Sequence, residues 1–229
     1  MSRLALVGGN EFRRDCDAMD KTLVEIMGVG ARLVIIPTAA TNENPYVAGE
    51  NGIRHFRRLG AHPDKLLVDE DNANMQDMAA VLDKFQAVYF TGGDPVYLLE
   101  TLRGSKAWNA VQGIYARGGL ITGSSAGAMV LGGLMWKFGE WVPGLGLAPR
   151  LAVLPHHATM SARWDAARMA ALLPSGASGI SLVGIDEATA LLLPEGRVLG
   201  VGQVTLYTPD GPQVYEAGAV VETQKLLGA

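Results

Sequence analysis

Gly118-Gly119-Leu120-Ile121-Thr122-Gly123-Ser124-Ser125-Ala126-Gly127-Ala128-Met129 is the stretch on which the reading of this chain turns. Leu120 to Thr122 is a short apolar run that predicts the end of a buried strand. Gly123-Ser124-Ser125-Ala126-Gly127 matches Gly-x-Ser-x-Gly, and Ala128-Met129-Val130-Leu131 is a helix-forming apolar run. Strand, sharp turn, helix is the context of a nucleophile elbow, where the turn holds one serine strained and exposed. The flanking glycines remove the Cβ atoms that would clash in so tight a bend. The helix that follows aims backbone N–H groups at the same point, where developing negative charge is stabilised. By this spacing Ser125 is the candidate nucleophile and Ser124 the intervening residue. A Gly/Ser loop joining a strand to a helix is the plainer reading, and the flanks favour the nucleophile.

Upstream of the elbow, short apolar runs alternate with helical spacing. Strands are expected at Leu4 to Val7, Leu33 to Ile36, Lys65 to Val68 and Ala87 to Phe90, stopped by Gly8-Gly9, Pro37 and Thr91-Gly92-Gly93-Asp94. Helices are expected over Asp15–Gly28, Pro45–Leu59, Met75–Lys84, Val96–Leu102 and Trp108–Arg117. This alternation is that of an α/β protein, a mostly parallel sheet with helices on both faces. Chemistry in such sheets sits at the carboxyl ends of the strands.

Downstream the pattern changes. Trp136 to Pro149, rich in Gly, Pro and Trp, reads as an ordered loop. Leu151 to Leu154 is a strand running into Pro155-His156-His157, Ser161 to Leu173 a helix capped by Ser161, and Ser181 to Ile185 a strand ending at Asp186-Glu187. Leu191 to Leu193, Arg197 to Val201, Val204 to Tyr207 and Gln213 to Glu216 alternate with turn signals and predict a C-terminal antiparallel β extension. With no linker or repeat in view, residues 1–229 are expected to form a single domain.

Composition narrows the functional classes. With 229 residues, 48% of them hydrophobic and 18% charged, the chain can bury a large core. Its net charge of -4, without a basic block, argues against a nucleic-acid partner. The N-terminal apolar run is too short for a signal peptide and no stretch approaches a membrane span, so a soluble cytoplasmic protein is expected. The single cysteine, Cys16, excludes an internal disulfide and a cysteine metal cluster. The scattered histidines give no metal-ligand spacing, so neither a metal nor an organic cofactor is implied.

A serine hydroxyl needs a base beside it and a third group to orient that base. Of the four histidines, His55 stands among Arg54, Arg57 and Arg58 on what reads as a solvated basic face, and His62 precedes Pro63 in a turn. His156 and His157 end an apolar strand where the elbow should lie, so one of them is the candidate base. Asp186 and Glu187 end another strand, and either can accept the other imidazole N–H; alternation points only one of them at it, and the residues alone leave open which. For the oxyanion, the Ala126 N–H follows the nucleophile, and Gly92-Gly93 is the best source of a second donor.

Gly8-Gly9-Asn10-Glu11, Ile36-Pro37-Thr38-Ala39, Phe90-Thr91-Gly92-Gly93-Asp94, Gly123-Ser124-Ser125-Ala126-Gly127-Ala128, Pro155-His156-His157 and Gly184-Ile185-Asp186-Glu187-Ala188-Thr189-Ala190 together resemble the ordered motifs of the peptidase S51 family. That family holds peptidase E, an α-aspartyl dipeptidase, and cyanophycinase. The resemblance runs from the first strand to about Leu193. It implies a fold like the class I glutamine amidotransferase domain, flavodoxin-like, with a serine nucleophile, a histidine base and a carboxylate partner. Carried over by position, these roles fall on Ser125, His156 and Glu187, with Asp186 as runner-up. The resemblance also implies a small peptide substrate with an acidic residue at the cut. Arginine binds such a carboxylate in bidentate geometry, and Arg163 and Arg168 lie near where the family places basic residues. Gly92 and Asp94 border the same cleft. Asp94 stands where peptidase E-like sequences tend to have Asn, and its carboxylate would repel an acidic substrate unless paired. A family member without Asp-X dipeptidase activity is therefore an alternative.

The function expected is that of a serine hydrolase cleaving an amide bond in a small peptide, with no membrane partner and a homodimer as the assembly considered. Its rival is a non-catalytic small-ligand-binding protein on the same scaffold, since a fold does not guarantee a function. A cysteine enzyme using Cys16 is a weaker third, because Cys16 lies far from the elbow.

Overall fold

Strands buried on both faces need apolar residues at successive positions, and the runs of that kind lie side by side in the computed structural model. It describes residues 1–160, 165–174, 177, 179–208 and 210–222. β1 (Arg3–Val7), β2 (Arg32–Ile36), β3 (His62–Lys65), β4 (Ala87–Phe90) and β5 (Leu120–Ser124) pair in parallel. β3 lies about one turn of chain earlier than the apolar stretch at Lys65 to Val68 suggests. As an edge strand it needs backbone bonds on one side only, so Pro63 is tolerated. Val68 is spent on the core instead.

Alternation along the strands divides the apolar residues between two layers. Leu4, Leu6, Val34, Ile36, Val88 and Phe90 face α3 (Gln76–Leu82), α4 (Pro95–Leu102), α5 (Lys106–Ala116) and α6 (Ala126–Leu131). Ala5, Val7, Leu33, Ile35, Ala87 and Tyr89 face α1 (Asp17–Met27) and α2 (Pro45–Arg58) through Met19, Leu23 and Phe56. The starts of α2, α4 and α5 are capped by Asn44, Asp94 and Ser105, whose side chains accept backbone N–H bonds of the first turn. Such a cap contributes about 1 kcal/mol.

Beyond α6 the structure departs from the linear reading. The stretch expected as a loop contains a hairpin, β6 (Leu134–Lys137) and β7 (Glu140–Pro143), with Trp136 opposite Trp141. Its turn, Phe138-Gly139, has φ of 47° and 102°, the positive values that tight hairpins require. β8 (Leu151–Leu154) and β9 (Ser181–Ile185) pair in parallel and open a second sheet. The chain then returns: β10 (Thr189–Leu193) adds antiparallel to β1, and β11 (Arg197–Gly200) to β10. β12 (Gln203–Thr208) and β13 (Gly211–Glu216) rejoin β9. The main sheet has the order β11-β10-β1-β5-β4-β2-β3, and the second β13-β12-β9-β8. The α/β class with a C-terminal antiparallel extension holds, and the extension is shared between two sheets. Among the described residues, no helix is long and apolar enough to cross a membrane.

Candidate active site

The elbow forms at the carboxyl end of β5. Ser125 has φ 49° and ψ -108°, and conformations so sparsely populated cost about 1–3 kcal/mol for a residue with a side chain. Two backbone bonds hold it there: its N–H donates to Val7 O at 2.9 Å, and its carbonyl accepts from Met129 N–H at 3.0 Å. The following helix is buried along its whole length and packs under the sheet. A Cβ on Gly123 would lie 2.4 Å from the Gly127 carbonyl carbon, so the helix can leave the strand at this angle only with glycine there.

His156 arrives from the second sheet. The chain leaves β8 through Pro155 and turns at His156, where φ is 52°, before the short helix α7 (His157–Met160). The His156 N–H donates to Gly8 O at 2.7 Å, and the Ala188 N–H donates to Gly9 O at 3.0 Å. The Gly8-Gly9 turn after β1 thus holds the histidine loop and the acid loop against the end of the main sheet. The imidazole lies so close over Gly9 that a Cβ there would fall 2.2 Å from Cε1. Nε2 is 3.0 Å from Ser125 Oγ, and Nδ1 is 3.2 Å from Glu187 Oε1. That same carboxylate oxygen accepts the Thr159 hydroxyl. Burial pushes the Glu187 carboxyl up, but the bonds from Thr159, its own backbone and His156 outweigh this and hold it below the ordinary carboxylate value.

The neighbouring pair goes elsewhere. His157 Nε2 is 2.8 Å from the Tyr207 hydroxyl, its Nδ1 is 3.7 Å from Asp186 Oδ1, and its ring covers Gly184. Asp186 Oδ2 accepts the Gln203 N–H at 2.9 Å, which ties the acid loop to β12. Asp186 is therefore a joint within the second sheet, and of the two neighbouring acids it is Glu187 that lies beside His156; alternation along the chain points the two to opposite sides.

Glycines 92 and 93 serve differently. The Gly92 N–H donates to Glu11 Oε1 at 2.7 Å. Gly93, at φ 133°, is followed by Asp94 N–H donating to Ala39 O at 2.7 Å. Neither the Gly93 nor the Ala126 N–H is taken up by a protein acceptor among the described residues. The Asp94 carboxylate is occupied as the cap of α4 and by Asn42 Nδ2 at 3.3 Å. It lies on an adjoining depression beside Lys137 rather than on the main cavity.

A cavity of about 690 Å³ opens beside Ser125 and His156. Its wall also carries Arg13, Arg14, Arg54 and Arg58, with the carboxylates Glu11 and Glu43 on its surface. Arg58 is held by Asp17 in a two-pronged ion pair of 2.5 and 2.6 Å, and Arg54 by Asn51. Among the described residues no hydrogen bond or ion pair within 4 Å engages the Arg13 or Arg14 guanidinium, although the charge of Arg14 is felt at Asp17. Arg168, on α8 (Ala166–Ala171), is exposed and off the cavity, and Arg163 lies outside the described residues, as does the expected Ser161 cap. The arginine wall is what the sequence reading missed. Arg54, Arg57 and Arg58 had the look of a solvated face, yet α2 turns part of that face to the cavity. His55 is buried there at 4% exposure, with Nε2 2.7 Å from Asp20 Oδ2. Burial pushes the Asp20 carboxyl up, and the His55 bond offsets part of this.

Cys16 does not offer a rival nucleophile. It is fully buried, its thiol donates to Asn10 O at 3.2 Å, and burial pushes its pKa up to about 12. Only the thiolate attacks. Among the described residues, no group of three His, Cys, Asp or Glu side chains is placed to hold a metal ion.

Comparison with known proteins places the chain in a family. The model of peptidase family S51 matches residues 4–200. A cyanophycinase of Synechococcus elongatus is 30% identical over 199 residues, 80% of this chain and 60% of the relative, so the chain spans about 60% of that protein's length. An uncharacterized peptidase of Listeria innocua is 33% identical over 101 residues, 44% of this chain and 47% of the other. The crystal structure of a peptidase from an acI-B1 Actinobacterium superposes with a TM-score of 0.81 at 28% identity, covering 97% of each chain. A putative peptidase E of Listeria monocytogenes shares the fold, with a TM-score of 0.64 at 18% identity over 95% of this chain and all of the other. The family model spans most of the sequence, and the chain belongs to peptidase family S51, a family of serine hydrolases.

Proposed function

We propose that this chain is a serine peptidase that cleaves an amide bond in a small peptide beside an acidic residue. The observation that carries this reading is the unbroken hydrogen-bonded line from Ser125 Oγ through His156 to Glu187, at 3.0 and 3.2 Å. The Glu187 carboxylate accepts Nδ1–H and so presents the Nε2 lone pair to the serine. Nε2 takes the hydroxyl proton as Oγ attacks the carbonyl carbon. The Gly93 and Ala126 N–H groups donate to the oxyanion that forms. His156 then passes its proton to the leaving amine, the C–N bond breaks, and an acyl ester on Ser125 remains. Water, deprotonated by the same imidazole, releases the acid and restores the serine.

Charge on the cavity supports an acidic substrate. Arg13 and Arg14 offer forked donors that suit a carboxylate. The resemblance to the peptidase S51 family, which includes cyanophycinase and peptidase E, implies the same acidic residue at the cut. A fluorophosphonate probe should label Ser125, and Ser125→Ala should abolish labelling and peptide hydrolysis. A panel of Asp-X dipeptides, β-aspartyl dipeptides and cyanophycin, with uncharged controls, then separates the substrate classes. Absence of labelling in wild type, with ligand binding intact, would leave the binding-protein reading in its place.

A further inference from the structure

We infer that Glu11 is a positioning residue for the reaction: one carboxylate that sets the Gly92-Gly93 strand end and the elbow relative to each other. This rests on the hydrolase reading above. Glu11 lies in the loop after β1, between Asn10 at φ 60° and Phe12 at φ 66°. The loop is pinned on both sides. Cys16 donates to Asn10 O, and the Phe12 ring packs on Phe56 and Tyr89 with centroids 6.0 and 5.1 Å apart. From this anchored position Oε1 accepts the Gly92 N–H and Oε2 accepts the Ser124 hydroxyl, both at 2.7 Å. Gly92 follows β4 and Ser124 ends β5, so a single side chain joins the ends of three strands that are neighbours in the order β1-β5-β4.

The consequence for the site is specific. Gly93 is bracketed by two used donors, Gly92 N–H on Glu11 and Asp94 N–H on Ala39 O. The Gly92–Gly93 peptide plane lies between these two anchored planes, its carbonyl accepts the Thr91 hydroxyl at 3.2 Å, and its N–H is left for an incoming oxyanion. Ser124, fully buried, is the residue before the nucleophile, and its bond to Glu11 holds the strand end from which the strained Ser125 projects. Gly92 leaves little room beside this carboxylate: a Cβ there would sit 3.1 Å from Glu11 Oε1 and 3.2 Å from Ser125 Cβ. Glu11 touches neither Ser125 Oγ nor His156 through any hydrogen bond, so its action runs through the groups it holds.

Two conservative variants separate position from charge. Glu11→Gln keeps the length of the side chain. Its carbonyl can take the Gly92 N–H and its amide can donate to Ser124 Oγ, whose hydroxyl rotates. Glu11→Asp keeps the charge but, one methylene shorter, cannot span both partners. We expect E11Q to hold kcat within about fivefold and E11D to lose about 10²-fold in kcat at similar KM, the size of one lost oxyanion donor. Fluorophosphonate labelling of Ser125 should follow kcat. A reading free of turnover is hydrogen exchange at the Gly92 amide, slow in wild type and E11Q and fast in E11D. If E11D is active and E11Q is not, with the loss in KM, Glu11 is a charged contact to substrate and the inference falls. It falls equally if Gly92 exchanges alike in all three. Failure of wild type to label or to cleave any peptide would instead remove the hydrolase reading, while exchange at Gly92 still decides whether Glu11 holds that loop.

Discussion

Two histidine–carboxylate pairs lie back to back on the same two chain segments, and only one faces the serine. His156 and Glu187 meet at 3.2 Å above Gly9, with Ser125 on the open side of the ring. His157 and Asp186, one residue along on one segment and one residue back on the other, meet less closely at 3.7 Å above Gly184, with Tyr207 where the other pair has its serine. Residue type is nearly the same in the two pairs, so type does not assign the role. What differs is the backbone: His156 and Ala188 adopt positive φ, and their N–H groups dock on Gly8 and Gly9 at the end of the main sheet. The first pair belongs to the junction of the two sheets, and the second belongs to the second sheet alone.

The sharpest way to break this contrast is to remove each ring. His156→Ala should lower kcat/KM by about 10³-fold or more, since a positioned base contributes about 10²–10⁴. His157→Phe should stay within about threefold of wild type and show its effect in thermal stability, through the lost bond to Tyr207. Steady-state kinetics beside a melting curve would check both. Equal losses in activity would mean that the two histidines share the base role and that the geometry has been misassigned.

The glycines beneath the rings give the next test. Gly9→Ala places a methyl 2.2 Å from His156 Cε1, at a φ of 127° that side chains rarely adopt. The imidazole must move, and a displacement of about 1 Å can cost roughly 10²-fold in rate. Gly184→Ala makes the equivalent collision with His157 Cδ2 at 2.2 Å. There the penalty should appear as about 1–3 kcal/mol of stability from overpacking, with kcat kept in the folded fraction. Urea unfolding and kcat measured on the same preparations distinguish the two; a G184A enzyme that is stable but slow would count against the separation.

The same contrast shows what a linear reading can and cannot reach. β1, β2, β4 and β5 were legible because each is buried on both faces and written as an apolar run. Ser125 was legible because its turn demands small residues at fixed offsets. The choice of Glu187 over Asp186 needed the family motif, since alternation says that one of them points inward without saying which. β10 and β12 look alike in sequence but join different sheets, because their partners, β1 and β9, are chosen by contacts far along the chain. The β6–β7 hairpin was hidden by Trp136 and Trp141, whose pairing appears only when the strands meet. The arginine wall was hidden for a related reason: the charged face of α2 is written like any solvated face, and what it turns towards is a tertiary fact.

That wall can be set against Arg168, which is equally charged and off the cavity. Arg13→Gln with Arg14→Gln should raise KM for an acidic substrate by about tenfold, the worth of roughly 1.4 kcal/mol, and should weaken its dependence on salt. Arg168→Gln should change neither. Initial rates for an Asp-containing peptide and its Asn counterpart at two ionic strengths provide the measurement. A KM rise of the same size for both peptides would show that the arginines shape the cavity without reading charge.

The smallest effect expected concerns acid. The Glu187 carboxyl is held below its usual value because its hydrogen bonds favour the ionised form more than burial opposes it. A carboxyl whose folded pKa is depressed adds stability that is fully present above its unfolded pKa and is lost as pH falls through the folded one. Glu187→Gln lacks that contribution at every pH. The gap in urea midpoint between wild type and E187Q should therefore be constant from neutral pH down to about pH 5, since the free glutamate pKa is about 4.3, and should narrow below it. A gap that widens in acid would mean that the folded protein holds Glu187 above its unfolded pKa, with burial dominant. Burial would then outweigh the hydrogen bonds from Thr159 and His156, and the line from Glu187 to Ser125 would favour the neutral carboxyl, a poor acceptor for Nδ1–H and a poor reason for the imidazole to present Nε2 to Ser125.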